Sequence, residues 1–345
     1  DTAYSVPKYH FNYKAACCFA SRYYLFMQDW GNAIKYATMA LTSNPSSLLR
    51  DYSAIAALPK GTSRHQEYVN SASTANFLLQ AATSNSGLLF DWYSTAGRYS
   101  HGKLQGIYET VQPKKGGPWG SSVTFKAPHA VLASSGKYVL PRTWRVFQYT
   151  DPVAGTGFNK AISVLFTSEE ALLNRAEAYI MKMNEDPTAL DKALEDINLY
   201  AANLFSAGFK SMTEASIIKW ATETYPDYSE LYVGKTSVSS PQTLNPKKKL
   251  HAAPYNTLEE GGPQESMLQA LIFMRRYQFL HEGMRWFDTR RFGITVYRYL
   301  LDEDAETVVQ ITDQISDENG TADPRRALQL PADVIAAGLT PNPRK

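Results

Sequence analysis

Apolar residues recur at helical spacing in three separate parts of the chain. In residues 12–45, alanines and aromatic residues repeat every three or four positions along two successive stretches. Residues 169–204 show the same pattern on either side of Asp186-Pro187, a sequence that interrupts helices. In residues 264–293, an apolar stripe follows one side of a helix and is interrupted at Gly283. The pattern therefore predicts three helical pairs, with a bend or a close backbone approach at Gly283.

The alanines of the first two pairs have the spacing of tetratricopeptide repeats. Two helices can approach closely only where the facing residues are small, and an aromatic ring then fills the wider end of the wedge. The matching positions are Ser21, Tyr24, Ala33, Ala37, Ala40 and Pro45 in the first pair and Ala176, Tyr179, Ala193 and Ile197 in the second, if residues 184–188 are inserted in the second turn. Such units stack to bury a continuous core. We predict a mostly α fold of tetratricopeptide-like hairpins that form a platform within one domain, residues 1–345.

Residues 46–160 lose the helical period and are rich in serine, glycine, proline and aromatic residues. Short strands are predicted at Asn76–Gln80 and in a hairpin formed by Ala130–Ala133 and Tyr138–Leu140. An irregular stretch of this length inside a compact domain usually carries function. We therefore expect this loop-rich insertion to face the ligand.

Composition narrows the class of protein. With 44% hydrophobic and 20% charged residues the chain is globular, and no stretch approaches the roughly 20 apolar residues that span a membrane. A formal net charge of +2 is nearly neutral and argues against a nucleic-acid surface. Aromatic residues reach 12%, which is typical of proteins that present rings to a ligand. The two cysteines, Cys17 and Cys18, are adjacent, and we interpret them as reduced packing residues.

The insertion contains two clusters that suit a ligand with apolar faces. An exposed ring can stack on the C–H face of a sugar or on a peptide side chain, while nearby polar groups fix the orientation. The candidates are Trp92, Tyr93, Arg98, Tyr99 and His101 in residues 90–102, and Trp119 in the turn Gly116–Gly120. The alternative is that each ring only holds a long loop against the helices, and for a single ring we weigh this at least equally.

No enzyme signature is present. The chain has no phosphate-binding loop, no nucleotide-binding glycine pattern, no HExxH or GxSxG, and no metal-spaced cysteines or histidines. Carboxylate pairs such as Glu169-Glu170 and Glu259-Glu260 are adjacent in sequence, so an acid and base pair of a glycosidase cannot be identified from spacing. We predict a protein that is not an enzyme and uses neither a cofactor nor a metal.

The stretch FMRRYQFLHEGMRWFDTRRF, residues 273–292, carries a charge ladder. Glu282, Arg285, Asp288 and Arg291 alternate in sign every third residue, so each could reach the next across one helical turn. This stretch resembles a C-terminal motif of the SusD/RagB-like family, with matches at Arg275, Glu282, Gly283, Arg285, Trp286, Phe287, Asp288 and Arg291. Met274 and Gln278 stand where the family usually has glutamate, so one ion pair is expected to be missing or replaced.

Two further segments resemble the same family. Leu173, Arg175, Ala176, Glu177, Ala178 and Tyr179 match a characteristic L-x-R-A-E-A-Y stretch, and Leu330-Pro331 and Asn342-Pro343 stand in the places of its closing segment. The resemblance implies that the motif residues are architectural. It also implies a protein that binds nutrient oligosaccharides or peptides without catalysis and passes them to a SusC-like TonB-dependent transporter. The expected location is the outward face of the outer membrane, reached through a lipid anchor that is not in this sequence. Members of the family usually carry more chain before the first hairpin, so an N-terminal part of the fold is expected to be absent here.

Two other functions remain open at this point. A tetratricopeptide-type scaffold would bind protein partners in a helical groove, with its binding rings on the inner helices and not in residues 46–160. A helical glycan hydrolase would need two carboxylates facing each other across a cleft, about 5 to 10 Å apart.

Overall fold

Helices predominate in the part of the chain that the structure describes, which confirms the predicted mostly α fold. The computed structural model describes residues 4–59, 62–86, 117–120, 123, 125–126, 131–132, 138–139, 144–223, 248–301, 303, 308–317 and 322–344.

The first predicted hairpin is formed by α1 (Tyr13–Phe26) and α2 (Trp30–Leu41). Both helices begin at a side-chain cap: the Asn12 side chain accepts a hydrogen bond from the Ala15 amide at 3.1 Å, and Asp29 accepts one from Asn32 at 3.0 Å. The alanines that predicted close packing, Ala33, Ala37 and Ala40, are completely buried. The small faces therefore bring α2 against its neighbours as the sequence indicated.

The insertion that follows is less irregular than the sequence suggested. It contains two short helices, α3 (Tyr52–Ala57) and α4 (Thr62–Tyr68), whose lengths leave too few turns for a recognisable period. The predicted strand at Asn76–Gln80 is confirmed and extends further, as β1 (Asn76–Thr83). The predicted hairpin is also present, with β2 (Val131–Leu132) paired antiparallel to β3 (Tyr138–Val139).

One larger sheet connects the insertion to the second hairpin. Strands β4 (Trp144–Asp151) and β5 (Thr156–Thr167) form an antiparallel pair, and β1 adds to the other edge of β5 in the order β1-β5-β4. In register, Leu79 lies opposite Val164 and Val146 opposite Lys160. Since β5 ends directly before the first residue of the next helix, the sheet fixes the start of that helix.

The second hairpin consists of α5 (Ser168–Lys182) and α6 (Ala189–Leu204), separated by the predicted break around Asp186-Pro187. Thr167, the last residue of β5, caps α5 by accepting the Glu170 amide at 3.0 Å. Helix α5 packs against α1, α2 and α6. Residues of both hairpins, among them Ala15, Ala40, Ala176 and Ala193, belong to the same buried cluster. The prediction that the two pairs share one core is confirmed.

The third helical region follows α7 (Glu214–Glu223) and comprises α8 (Pro263–Gln278) and α9 (Met284–Phe292). Helix α8 packs on α7 and α5. Gly283, with φ +77°, lies directly before α9, which confirms the bend that the glycine predicted. The hairpin of β6 (Val296–Leu301) and β7 (Val308–Ile315) and the short α10 (Ala332–Ala336) complete the fold. Within the described ranges, no helix combines the length and the apolar composition needed to cross a membrane.

Candidate functional site

Most of the predicted ligand-binding residues lie outside the described part of the chain. Trp92, Tyr93, Arg98, Tyr99 and His101 all belong to residues 87–116, which the structure does not describe. Their role therefore stays a prediction.

Trp119 is described, and its ring lies in the core. Its exposed fraction is 0%. The ring stacks on Phe273 with centroids 4.8 Å apart, and its centroid lies 5.4 Å from that of Phe205 and 5.7 Å from that of Trp220. A ring enclosed in this way offers no free face to a ligand, so the expectation that Trp119 presents its ring outward does not agree with its burial. The aromatic residues that enclose it are distant in sequence, which is why the glycine-rich turn alone looked like an exposed loop.

Glycines let the backbone fold over the Trp119 ring. A Cβ at Gly117 would lie 2.3 Å from the indole, and Gly120 has φ +126°, a conformation that L side chains rarely adopt. The carbonyl of Trp119 accepts the Lys210 amide at 2.9 Å. The turn is thus closely fitted around a buried anchor residue.

The residues of the C-terminal motif form a buried ion network around Asp288. Its carboxylate accepts from Nε and Nη2 of Arg275, each at 3.1 Å, and from Nε of Arg291 at 3.0 Å. Arg275 also donates to Oδ1 of Asn174 in α5 at 2.8 Å. The side chains of Arg275 and Asp288 are 0% and 1% exposed. Because buried charges are stable only when paired, this geometry marks Asp288 as a structural centre.

The network continues to the second motif through Glu177. Arg291 donates from both terminal nitrogens to the Glu177 carboxylate, one bond measuring 2.7 Å. Tyr255 donates to the same carboxylate at 3.0 Å and accepts from Arg291 at 3.1 Å. Motifs that lie 114 residues apart along the chain therefore meet in one cluster. Sequence spacing gave no signal for Tyr255 or Asn174, whose partners come from other elements.

The surroundings of Asp288 and Arg291 favour the ionised forms of both side chains. Burial alone would raise the pKa of Asp288, but Arg275, Arg291 and Arg285 outweigh it and lower that pKa below its ordinary value. Burial likewise opposes the charge of Arg291, yet Glu177 and the other partners raise its pKa. Burial and the Glu177 carboxylate raise the pKa of Tyr255, which therefore stays a neutral donor.

The residues of the charge ladder do not all pair with the next one across a helical turn, as the sequence pattern had predicted. Asp288 and Arg291 pair across one turn as predicted. Glu282, by contrast, accepts a hydrogen bond from the Tyr68 hydroxyl of α4, and Arg291 reaches α5. At one of the two positions where glutamate was expected, Gln278 accepts from the Tyr200 hydroxyl at 3.0 Å. The ladder residues thus join separate elements, which agrees with an architectural role.

A cavity of about 450 Å³ lies where α1 begins, between that helix and β1. Lys8 and Lys14 line it, together with the buried apolar residues Leu48 and Phe77. The sequence gave no indication of this cavity because Lys8 and Phe77 lie far apart in the chain.

The outer face of α1 carries rings that are only partly covered. Phe19, Tyr23 and Phe26 are exposed, and the Phe26 ring lies 6.4 Å from that of Phe287 in α9. Among the residues that the structure describes, no group of three or more histidine, cysteine, aspartate or glutamate side chains could hold a metal ion.

Three solved structures align with most of this chain at low sequence identity. A SusD-like protein from Bacteroides fragilis NCTC 9343 aligns with 95% of this chain and 64% of its own, with a TM-score of 0.48 and 14% identity. B. fragilis NanU aligns with 97% of this chain and 64% of its own, with a TM-score of 0.41 and 15% identity. A SusD superfamily protein from Bacteroides vulgatus ATCC 8482 aligns with 81% of this chain and 51% of its own, with a TM-score of 0.36 and 15% identity.

The chain spans between 51% and 64% of the length of these three proteins. No protein-family model matches the sequence, and no curated protein matches it either. Two of these three structures are described as a SusD-like protein and a SusD superfamily protein.

Proposed function

We propose that this protein is a SusD-like binding protein, which holds a nutrient oligosaccharide or peptide at the cell surface without chemical change. In this proposal it is attached to the outward face of the outer membrane by a lipid anchor. There it passes its ligand to a SusC-like TonB-dependent transporter.

One observation carries the proposal. The two segments that most resemble the family, residues 173–179 and 275–291, meet through the bidentate pair of Arg291 with Glu177. A chance match to a charged helix would leave these side chains in solvent, where ion pairs contribute little. Here Glu177, Arg275 and Asp288 are buried, and Arg291 joins them in one hydrogen-bonded network, as an architectural motif requires.

The proposed ligand site is the aromatic cluster of residues 90–102. Rings such as Trp92, Tyr93 and Tyr99 would stack on sugar or side-chain faces, while Arg98 and His101 would supply hydrogen-bond donors. A shallow site of this kind loses part of its contact energy to the ordering of loops and ligand. We therefore expect weak binding, with Kd roughly in the micromolar to millimolar range.

The second candidate is a repeat scaffold that binds a protein partner on its helices. The exposed rings on α1, Phe19, Tyr23 and Phe26, favour it because exposed aromatic side chains often mark interaction surfaces. In this case ligand binding would depend on α1 and not on the insertion.

A binding titration with two matched variants distinguishes the two candidates. A panel of oligosaccharides and peptides is titrated calorimetrically into the wild type, Trp92→Ala and Tyr23→Ala. The proposal expects at least one panel member to bind, with a loss of about tenfold or more in Trp92→Ala, because a ring that stacks on a ligand contributes about 1–3 kcal/mol. Tyr23→Ala, which removes an exposed ring outside the insertion, should bind like the wild type. Unchanged binding in Trp92→Ala together with lost binding in Tyr23→Ala would move the site to the helices.

A further inference from the structure

The cavity at the start of α1 has a strongly one-sided charge. Lys8 and Lys14 both line it, and none of its described lining residues is an aspartate or a glutamate. Among the residues that the structure describes, neither lysine forms an ion pair with a carboxylate. Like charges that share a cavity repel each other unless an anion separates them.

The surroundings of Lys8 disfavour its positive charge. Burial, together with the nearby charges of Lys14 and Arg50, lowers the pKa of Lys8. Its ammonium donates one hydrogen bond to the Ser73 carbonyl, and an ammonium has three donors, so two remain for other partners. An anion in the cavity would offset the burial of the Lys8 charge and its repulsion by Lys14 and Arg50.

The N-terminal end of helix α1 adds to the positive charge at the cavity. Lys14 is the second residue of α1, and the first turn of this helix contains no acidic residue. The N-terminal end of a helix carries partial positive charge, so a lysine there is placed against the usual preference. The Lys14 ammonium lies 5.7 Å from the centroid of the Phe77 ring, which keeps it beside the apolar part of the wall.

The other residues that line the cavity suit a small ligand with an apolar face. Leu48 and Phe77 are buried and supply apolar surface, Pro7 adds to it, and Thr74 brings a hydroxyl. Asn12 and Asn76 also line the cavity, but their side chains are occupied by hydrogen bonds within the protein. A volume of about 450 Å³ is within the range of sites for small molecules.

We propose that this cavity is a binding site for a carboxylate that lies beside a compact apolar group, with Lys8 and Lys14 as its anion-binding residues and Phe77 as its apolar floor. Such a group occurs in acidic sugars and at the carboxyl end of peptides with a large apolar side chain. The site consists only of described residues and does not depend on the aromatic cluster at residues 90–102.

Two pairs of small ligands test the proposal, since each pair differs in one carboxylate. Methyl β-D-glucuronide is compared with methyl β-D-glucoside, and N-acetylphenylalanine with N-acetylphenylalaninamide. Binding is followed by amide chemical shifts in NMR titrations of the full chain. At least one acid should bind about tenfold more tightly than its neutral partner, which is the worth of one charge-assisted hydrogen bond, and added salt should weaken it.

Variants assign the effect to the cavity. Lys14→Gln should weaken binding of the acid about tenfold, and Lys14→Glu should abolish it. The matched control is Lys35→Gln, because Lys35 also lies over a ring, that of Tyr36 at 5.2 Å, but not at this cavity. This control should bind like the wild type. Thermal melting of each variant shows whether it is folded.

The pattern of ligands identifies the source of the carboxylate. Binding of the glucuronide alone supports acidic sugars, binding of the acetylated amino acid alone supports peptides, and binding of both supports a site for carboxylates of either origin. The proposal is overturned if neither acid binds, if acids and neutral partners bind equally, or if Lys14→Gln has no larger effect than Lys35→Gln. None of these results depends on whether the oligosaccharide panel binds at residues 90–102.

Discussion

Replacement of Asp288 by asparagine tests the buried ion network most sharply. The substitution keeps the shape of the side chain but removes its charge. In the wild type the carboxylate accepts from Arg275 and from Arg291 at 3.0 to 3.1 Å. In the variant, Arg275 keeps its bond to Asn174 but loses its only described ion-pair partner.

The expected cost follows from the burial of Arg275, whose side chain is 0% exposed. Removal of one partner from a buried ion pair costs about 3–5 kcal/mol, because the remaining charge is left in a poorly polarisable environment. Asparagine can still accept one hydrogen bond, so the lower value of about 3 kcal/mol is expected. With an m value of about 3 kcal/mol per molar, the urea midpoint would fall by about 1 M.

The assay is urea unfolding followed by circular dichroism at neutral pH. Glu223→Gln is the control, since Glu223 forms an exposed pair with Lys219 in which the side chains are 62% and 71% exposed. This control should lose at most about 0.5 kcal/mol. If Asp288→Asn lowered the midpoint no more than Glu223→Gln does, the reasoning about the network would be refuted.

The same variant has a predicted pH dependence. Because the folded pKa of Asp288 lies below its ordinary value of 3.8, the carboxylate stabilises the wild type fully above that value. This stabilisation is lost as the pH falls through the folded pKa. The difference in unfolding free energy between wild type and Asp288→Asn should therefore be constant above about pH 5 and become smaller below 3.8. A difference that grows in acid would contradict the assigned charge state.

Three further predictions concern the core and the turns. Trp119→Ala should lower the unfolding free energy by about 3–5 kcal/mol in urea titrations, and a wild-type midpoint would contradict its place in the core. Gly293→Ala should lower the unfolding free energy by more than about 2 kcal/mol, and Gly283→Ala by about 1 kcal/mol. Both glycines have positive φ, but only at Gly293 would a Cβ meet backbone, at 2.5 Å. Equal melting temperatures of the two variants would disprove the close approach. Cys17 and Cys18 are buried, and burial raises the pKa of each thiol, so a chromogenic disulfide reagent should label both in urea but neither in native protein; rapid native labelling would refute this.

The helical platform could be predicted from sequence because its determinants are local. A helix pair that packs through Ala33, Ala37 and Ala40 must repeat small residues at helical spacing, and this period is visible without any structure. The break at Asp186-Pro187 is equally local. The helical spacing therefore predicted the ends of both hairpins to within a few residues.

The partners of buried polar and aromatic residues could not be predicted in this way. Periodicity indicates that Asp288 and Arg291 share a helix face, but it cannot predict that Arg291 contacts Glu177 in another helix. Trp119 lies in a turn of glycines, and only its distant neighbours, such as Phe273, bury it. Contacts between residues far apart in sequence leave no period, which is the physical reason that these features were missed.

The two candidate sites also differ in whether they could be predicted from the sequence. The aromatic cluster at residues 90–102 was found because its residues are close in sequence, and its role stays a prediction. The cavity lined by Lys8, Lys14 and Phe77 is formed by segments that the fold brings together, so it became visible only in the structure.

Equilibrium binding combined with product analysis tests the central proposal most directly. The purified wild-type protein is titrated with the panel of oligosaccharides and peptides, and each mixture is then analysed by chromatography for cleavage. We predict that at least one panel member binds with Kd roughly between micromolar and millimolar and is recovered intact. Release of shorter products, or the absence of binding by every member of the panel, would contradict the proposal that the protein binds a nutrient without changing it.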